Sequence, residues 1–235
     1  MRQKIDTRAL AKAGLNLVAV LDLASLPPDK RESLIAGRDA GRFRQAILIG
    51  HGGTALWQAV GEMTGDNPID TFSREIVAQC LEAAEACSSF EFLYPGNGTG
   101  VSLTTLGDIA GWHHPSLMRV GINETWGLWF AYRALVIADS DFELTEKMMG
   151  QNPCDICEDK PCITACPGGA IRVDGLAAPA CFDHRLSEGS SCTHTCHARQ
   201  ACPVGQEHRY ADEQMAYHYR RALKTLQIYR ARGEI

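Results

Sequence analysis

Four cysteines crowd the run CDICEDKPCITACPGGAI, namely Cys154, Cys157, Cys162 and Cys166, the last standing directly before Pro167. Few chemistries need four thiolates at such spacing with a closing proline. The chain must curl so that three of the sulfurs wrap one centre while the fourth reaches over to another. The 4Fe-4S cubane asks for this, through the run C-x2-C-x2-C-x3-C-P of two-cluster ferredoxins. Here the middle gap holds four residues, Glu158, Asp159, Lys160 and Pro161. A surface loop absorbs the two extra residues cheaply, because closure entropy rises slowly with length. Structural zinc is the alternative, since C-x2-C also opens zinc ribbons, but zinc does not call for C-x3-C-P.

A second set follows, Cys181, Cys192, Cys196 and Cys202, again closed by a proline, Pro203. Eight thiolates suit two cubanes. In two-cluster ferredoxins the last cysteine of each group serves the other group's cluster. That pattern predicts Cys154, Cys157, Cys162 and Cys202 for the first cluster, and Cys166, Cys181, Cys192 and Cys196 for the second. The second group is looser, and His194, His197 and His208 are interleaved with it, so a mixed Cys/His zinc site is the rival there. Each histidine by itself reads as a hydrogen-bonding or exposed residue.

With 235 residues, 45% hydrophobic and 22% charged, the chain can bury one substantial core with a small appendage. A formal net charge of -5 argues against a nucleic-acid partner and for proteins or small molecules. The N-terminal residues carry no apolar signal segment, and no run approaches the ~18 apolar residues of a membrane span, so the expected location is the cytoplasm. In a reducing compartment ten cysteines point to metal rather than to disulfides. The remaining two, Cys80 and Cys87, fall on a three- and four-residue apolar spacing that predicts a helix over 68–88 with both thiols facing a core.

The fold class expected is α/β (α+β), divided into a body (1–150), a cysteine module (151–206) and a closing segment (207–235). Strands are predicted at Leu15–Leu23, Ala46–Gly50 and Phe90–Tyr94. The apolar run from Trp126 to Ala138 suits a central strand buried on both faces, although its length also admits a buried helix. The loop from Pro95 to Gly100 reads as a cofactor-facing turn or a plain connection. Neither a dinucleotide nor a Walker phosphate motif is present, and the His51-Gly52-Gly53 turn has no nucleophile elbow to go with it, which excludes hydrolase chemistry. Met215, Tyr219, Ala222, Leu226 and Tyr229 form a helical stripe expected to pack on the chain's own core.

The order of these parts resembles the epoxyqueuosine reductases, with the cobalamin-processing decyanase as a more distant relative. Leu15–Val20 and Phe43–Gly50 look like the family's first two strands. Val120-Gly121-Ile122 through Trp126-Gly127-Leu128-Trp129-Phe130 looks like the stretch leading into its W-F strand. Cys166-Pro167-Gly168-Gly169-Ala170-Ile171 matches its C-P-x-G-A-I, and Cys181 and Cys202-Pro203 match the isolated opening and Cys-Pro closure of its second cluster. The resemblance implies a nitroreductase-like body holding a cobalamin, two clusters that feed it electrons, and an electron-donor protein of flavodoxin or ferredoxin type.

Three departures from the family set the tRNA reaction aside. The chain has no D-[ST]-x-P-x-x-E segment, its G-x-G-W-x-G-K run is degenerate at Gly121 to Gly127, and no helical repeats follow the cysteines. The function expected is therefore passage of single electrons from two 4Fe-4S clusters to a corrinoid, or to a flavin, on the body. A non-catalytic ferredoxin-type carrier that docks a partner enzyme is the alternative, and structural clusters are a third reading. Tyr94, Asn97, His113, His114 and Arg119 are the candidate body residues; the two histidines read equally as solvent-facing.

Overall fold

A computed structural model describes residues 2–39, 41–61, 65–96 and 102–235. The chain forms two compact units: Met1–His113 with Phe130–Met149, and His114–Trp129 with Gly150–Ile235. These differ from the three sequence segments, since 114–129 and the closing segment group with the cysteines.

The first unit contains α1 (Thr7–Lys12), β1 (Leu17–Asp22), α2 (Pro28–Ile35), β2 (Gln45–Gly52), α3 (Ala55–Val60), α4 (Pro68–Glu82), β3 (Cys87–Tyr94), α5 (Leu103–Ile109) and β4 (Phe130–Ser140). Its sheet has the order β1-β2-β4-β3, and every neighbouring pair is antiparallel. Branched apolar residues explain the two inner strands. Ile47 faces Val136 and Leu48 faces Leu135 across the ladder, and all four are fully buried. The mixed helix and sheet architecture expected from the sequence holds, with β4 as a central strand rather than a helix. It opens at Phe130 and runs to Ser140, so Trp126–Trp129 lies outside it.

Gln45, at the start of β2, is buried and ties that end of β2 to the end of β4. Its Nε2 donates to Phe142 O (2.8 Å), and its Oε1 accepts from Ser140 Oγ (2.7 Å) and Phe142 N (3.0 Å). Gln45→Ala leaves these buried groups unpartnered and is expected to cost on the order of 3 kcal/mol. Urea unfolding checks this, and an unchanged midpoint would count against the network.

The helix predicted over 68–88 ends at Glu82, where Ala83 caps it, and Cys87 instead opens β3. Neither thiol lies in the core. Cys80 and Cys87 are both half-buried, with Cys80 Sγ 3.5 Å from Asp6 O. No described helix is long and apolar enough to cross a membrane.

The second unit contains α6 (Pro161–Thr164), β5 (Ile171–Arg172), β6 (Gly175–Leu176), α7 (Ala178–Leu186), α8 (His197–Gln200) and α9 (Asp212–Ala231). Met118, Ile122 and Leu128 form one core with Ile171, Ala198 and Cys202. Trp129, Tyr210 and Met215 form another. Of the stripe read on α9, Met215 and Leu226 are buried and Tyr219 packs on the second core, whereas Ala222 and Tyr229 are exposed.

Candidate metal centres

The four-residue gap that departs from the ferredoxin spacing is closed by Lys160. Its backbone adopts a left-handed φ of 39°, and its Nζ donates to the carbonyls of Cys157 (2.7 Å) and Cys154 (3.4 Å). Pro161 then starts α6 at a position where a missing N–H costs nothing. The short helix presents Cys162. Beyond it, Gly168 passes the side chain of His184, where a Cβ would come within 2.8 Å of the His184 Cβ. That close approach brings Cys166 beside α7, which carries Cys181. A Ser190 turn positions Cys192, whose N–H donates to Ser190 Oγ (3.2 Å). Cys196 and Cys202 flank α8.

The sulfurs sort into two sets. Cys154, Cys157, Cys162 and Cys202 line a cavity of about 30 Å3. Cys166, Cys181, Cys192 and Cys196 line another of about 220 Å3. The last cysteine of each sequence group thus lies with the other group. Among the described residues, no three His, Cys, Asp or Glu side chains form a group that could hold a metal ion. The histidines of the zinc reading diverge: His194 is exposed and accepts from Arg220 Nε (3.3 Å), His208 lies against the Trp126 ring (4.4 Å), and His197 lines the second cavity.

Burial pushes the thiols of Cys154, Cys162 and Cys202 up, and the other sulfurs of the set push the same way. The N–H groups of Leu117 and Val204, donating to Cys154 and Cys202, oppose it. In the second set burial again raises Cys181 and Cys192, while the guanidinium of Arg185 favours the Cys181 thiolate. Burial thus favours the neutral thiol at these five cysteines, and a bound cationic centre would deprotonate them.

The walls differ. The first cavity is closed by Leu117, Met118, Ile122, Leu128 and Val204. The second is lined also by His184, Arg185, Thr195, Arg199 and Tyr219. These five were not legible as site residues in the sequence. Their only signal was Tyr219, which read as part of the α9 stripe.

The candidate body residues are not brought together within one unit. Tyr94 ends β3 half-buried; burial and Asp70 push its phenol up, and Arg133 opposes. His113 Nδ1 lies 3.3 Å from Tyr132 Oη in the first unit. His114 belongs to the second, where its backbone pairs with Ile122, and Arg119 sits exposed in a turn with φ 56°. Asn97, with the rest of its loop through Gly100, lies outside the described residues. Two cavities on the first unit, of about 620 and 470 Å3, are lined by other residues, among them Arg31 and Phe43 in one and Lys4 and Glu143 in the other. A buried polar pair unread from the sequence, His51 Nε2 and Arg133 Nη2 at 2.9 Å, links β2 to β4.

No family model matches the chain, and no curated protein matches it in sequence. Its fold is shared with solved structures. The epoxyqueuosine reductase of Bacillus subtilis matches with a TM-score of 0.55 at 12% identity, over 88% of this chain and 67% of that one. An epoxyqueuosine reductase in complex with an epoxyqueuosine-modified tRNA-Tyr stem loop matches with a TM-score of 0.52 at 14% identity, over 88% and 66%. The B12-trafficking protein CblC of C. elegans, a homologue of human MMACHC, matches with a TM-score of 0.52 at 14% identity, over 96% of this chain and 93% of that one. The chain spans about two thirds of the reductases' length and nearly all of CblC. At these identities the likeness is one of fold. Net charge alone does not exclude a nucleic-acid partner. The sum of -5 conceals the stretch from Arg220 to Arg232, which holds Arg220, Arg221, Lys224, Arg230 and Arg232 and no acid.

Proposed function

We propose that this chain is an iron-sulfur redox protein whose second unit holds two 4Fe-4S clusters and delivers single electrons to an acceptor on the α/β body. The observation that carries this reading is the sorting of eight cysteines into two sets, each lining its own cavity. The donor chemistry fits: four thiols per cavity, held in half-buried or buried positions with apolar neighbours. A bound 4Fe-4S cluster supplies one-electron transfer at a potential between roughly -700 and +450 mV. The chain's own part is to hold the thiolates, exclude water with Met118, Ile122 and Leu128, and keep backbone N–H groups on the sulfurs.

A corrinoid is the first candidate acceptor, supported by the fold shared with a B12-trafficking protein, and a flavin is the second. Tyr94 and His113 line neither of the cavities described on the first unit, so no chemical step is assigned to a body-bound cofactor. The second reading is a carrier whose body docks a partner enzyme. In either case the electrons come from a one-electron donor protein of flavodoxin or ferredoxin type.

Anaerobic purification with iron, sulfide, zinc, cobalt and flavin analysis tests the proposal. The expected result is about eight iron and eight sulfide per chain. Stoichiometric zinc without sulfide overturns it, and half the iron removes one cluster. Titration of the protein with cobalamins and flavins separates the two readings: tight binding of either supports the reductase, and binding of neither supports the carrier.

A further inference from the structure

We infer that the second cysteine set holds the more easily reduced cluster, because four side chains with unpartnered polar atoms line its cavity while the polar side chains lining the first, Ser116 and Lys160, are already hydrogen-bonded within the chain. The inference rests on the two-cluster reading and adds to it an order of reduction. His184 Nε2, Arg185 Nε, Thr195 Oγ1 and Arg199 Nε are buried atoms with no hydrogen-bond partner among the described residues. All four side chains line the second cavity. A buried N–H or O–H left unpaired costs free energy, so the donors of Arg185, Thr195 and Arg199, joined by His184 in its Nε2–H tautomer, call for acceptors at the cavity their side chains line. Thiolate and sulfide are such acceptors.

A fifth donor is held in a relay. The Tyr219 hydroxyl is within hydrogen-bonding reach of Cys196 and of Arg199. The Arg199 guanidinium lies over the rings of Trp129 (4.6 Å) and Tyr210 (4.8 Å) and donates through Nη2 to Leu128 O, so its direction is fixed. Arg185 is fixed likewise, through Nη2 to Tyr219 O (2.9 Å). At the first cavity the lining cation is Lys160, whose Nζ is engaged by the carbonyls of Cys154 and Cys157, and Arg209, whose charge favours the Cys202 thiolate, is engaged by Gln200 O. Reduction adds one negative charge to a cluster. Donors and cations aimed at its sulfurs stabilise that charge and raise the potential.

The test is an anaerobic titration with dithionite, followed by electron paramagnetic resonance, on the intact chain and on the variants Tyr219→Phe and Thr195→Val. Each wave is the uptake of one electron per cluster from dithionite, itself oxidised to sulfite. The intact chain should show two separate waves. In each variant the higher-potential wave should fall, by about tenfold in the reduction equilibrium or about 59 mV for a one-electron couple, while the lower wave stays in place. A single merged wave in the intact chain overturns the inference. So does an unmoved upper wave in whichever variant keeps its iron, or a shift confined to the lower one. Iron and sulfide content, measured on the same samples, keeps the two ideas apart. A chain without iron and sulfide refutes the cluster reading itself, whereas a loaded chain with unmoved waves refutes only the order of reduction.

Discussion

Replacing Cys202 with alanine should empty the first cysteine set while the second keeps its cluster, and replacing Cys166 should do the reverse. Cys202 follows α8, at the far end of the module from Cys154, yet it lines the cavity of Cys154, Cys157 and Cys162. Cys166 closes the first run and lines the cavity of Cys181, Cys192 and Cys196. Loss of one thiolate in four leaves a cluster iron open to solvent. Iron should therefore fall from about eight to about four per chain in each variant. Sulfide analysis and the resonance signal that survives identify which set was lost. If Cys202→Ala instead spared the set of Cys154 and removed that of Cys192, the crossed arrangement would be wrong.

Gly127→Ala should be as damaging to folding as the cysteine changes are to metal content. Gly127 has φ 54°, and a Cβ there would sit 2.1 Å from the carbonyl oxygen of Val204. Its neighbour Gly205, at φ 64°, also has no room for a Cβ, which would come within 2.6 Å of the backbone of Trp126 and Gly127. Two chain segments cross there with no room for a side chain. Left-handed strain of 1–3 kcal/mol and overpacking of similar size together cost on the order of 4 kcal/mol, a large share of a typical domain's stability. Denaturant unfolding measures this, and a loss below about 1 kcal/mol would show that the crossing yields. Gly61→Ala is a useful comparison, since its φ is also positive at 63° but nothing lies within 4 Å, leaving only the strain.

The sheet was legible because its inner strands are runs of branched apolar residues: Ala46–Gly50 lies inside β2, and most of the Trp126–Ala138 run lies inside β4. The overlong helix shows where such reading fails. Ala84 and Cys87 continue the three-residue spacing of α4, and no glycine or proline marks the turn between Ala83 and Ala86 that ends it. The cysteine groups were legible from spacing. Their wall was not, because Arg185, Arg199 and Tyr219 come from three different helices and meet only through tertiary packing. Tyr94 closes a predicted strand, whereas Asn97, His113 and His114 fall in loops, and a loop's sequence does not specify which unit it joins. His113 and His114, adjacent in the chain, belong to different units.

The chain passes from one unit to the other at 113/114, at 129/130 and at 149/150. A gene fragment opening at Gly150 would encode all eight clustered cysteines and yet lack Met118, Ile122 and Leu128, the floor on which Ile171, Ala198 and Cys202 rest. The cysteine run is therefore not a cassette that recombination could lift out or graft elsewhere. A stand-alone version for the bench needs residues 114–129 spliced back onto it.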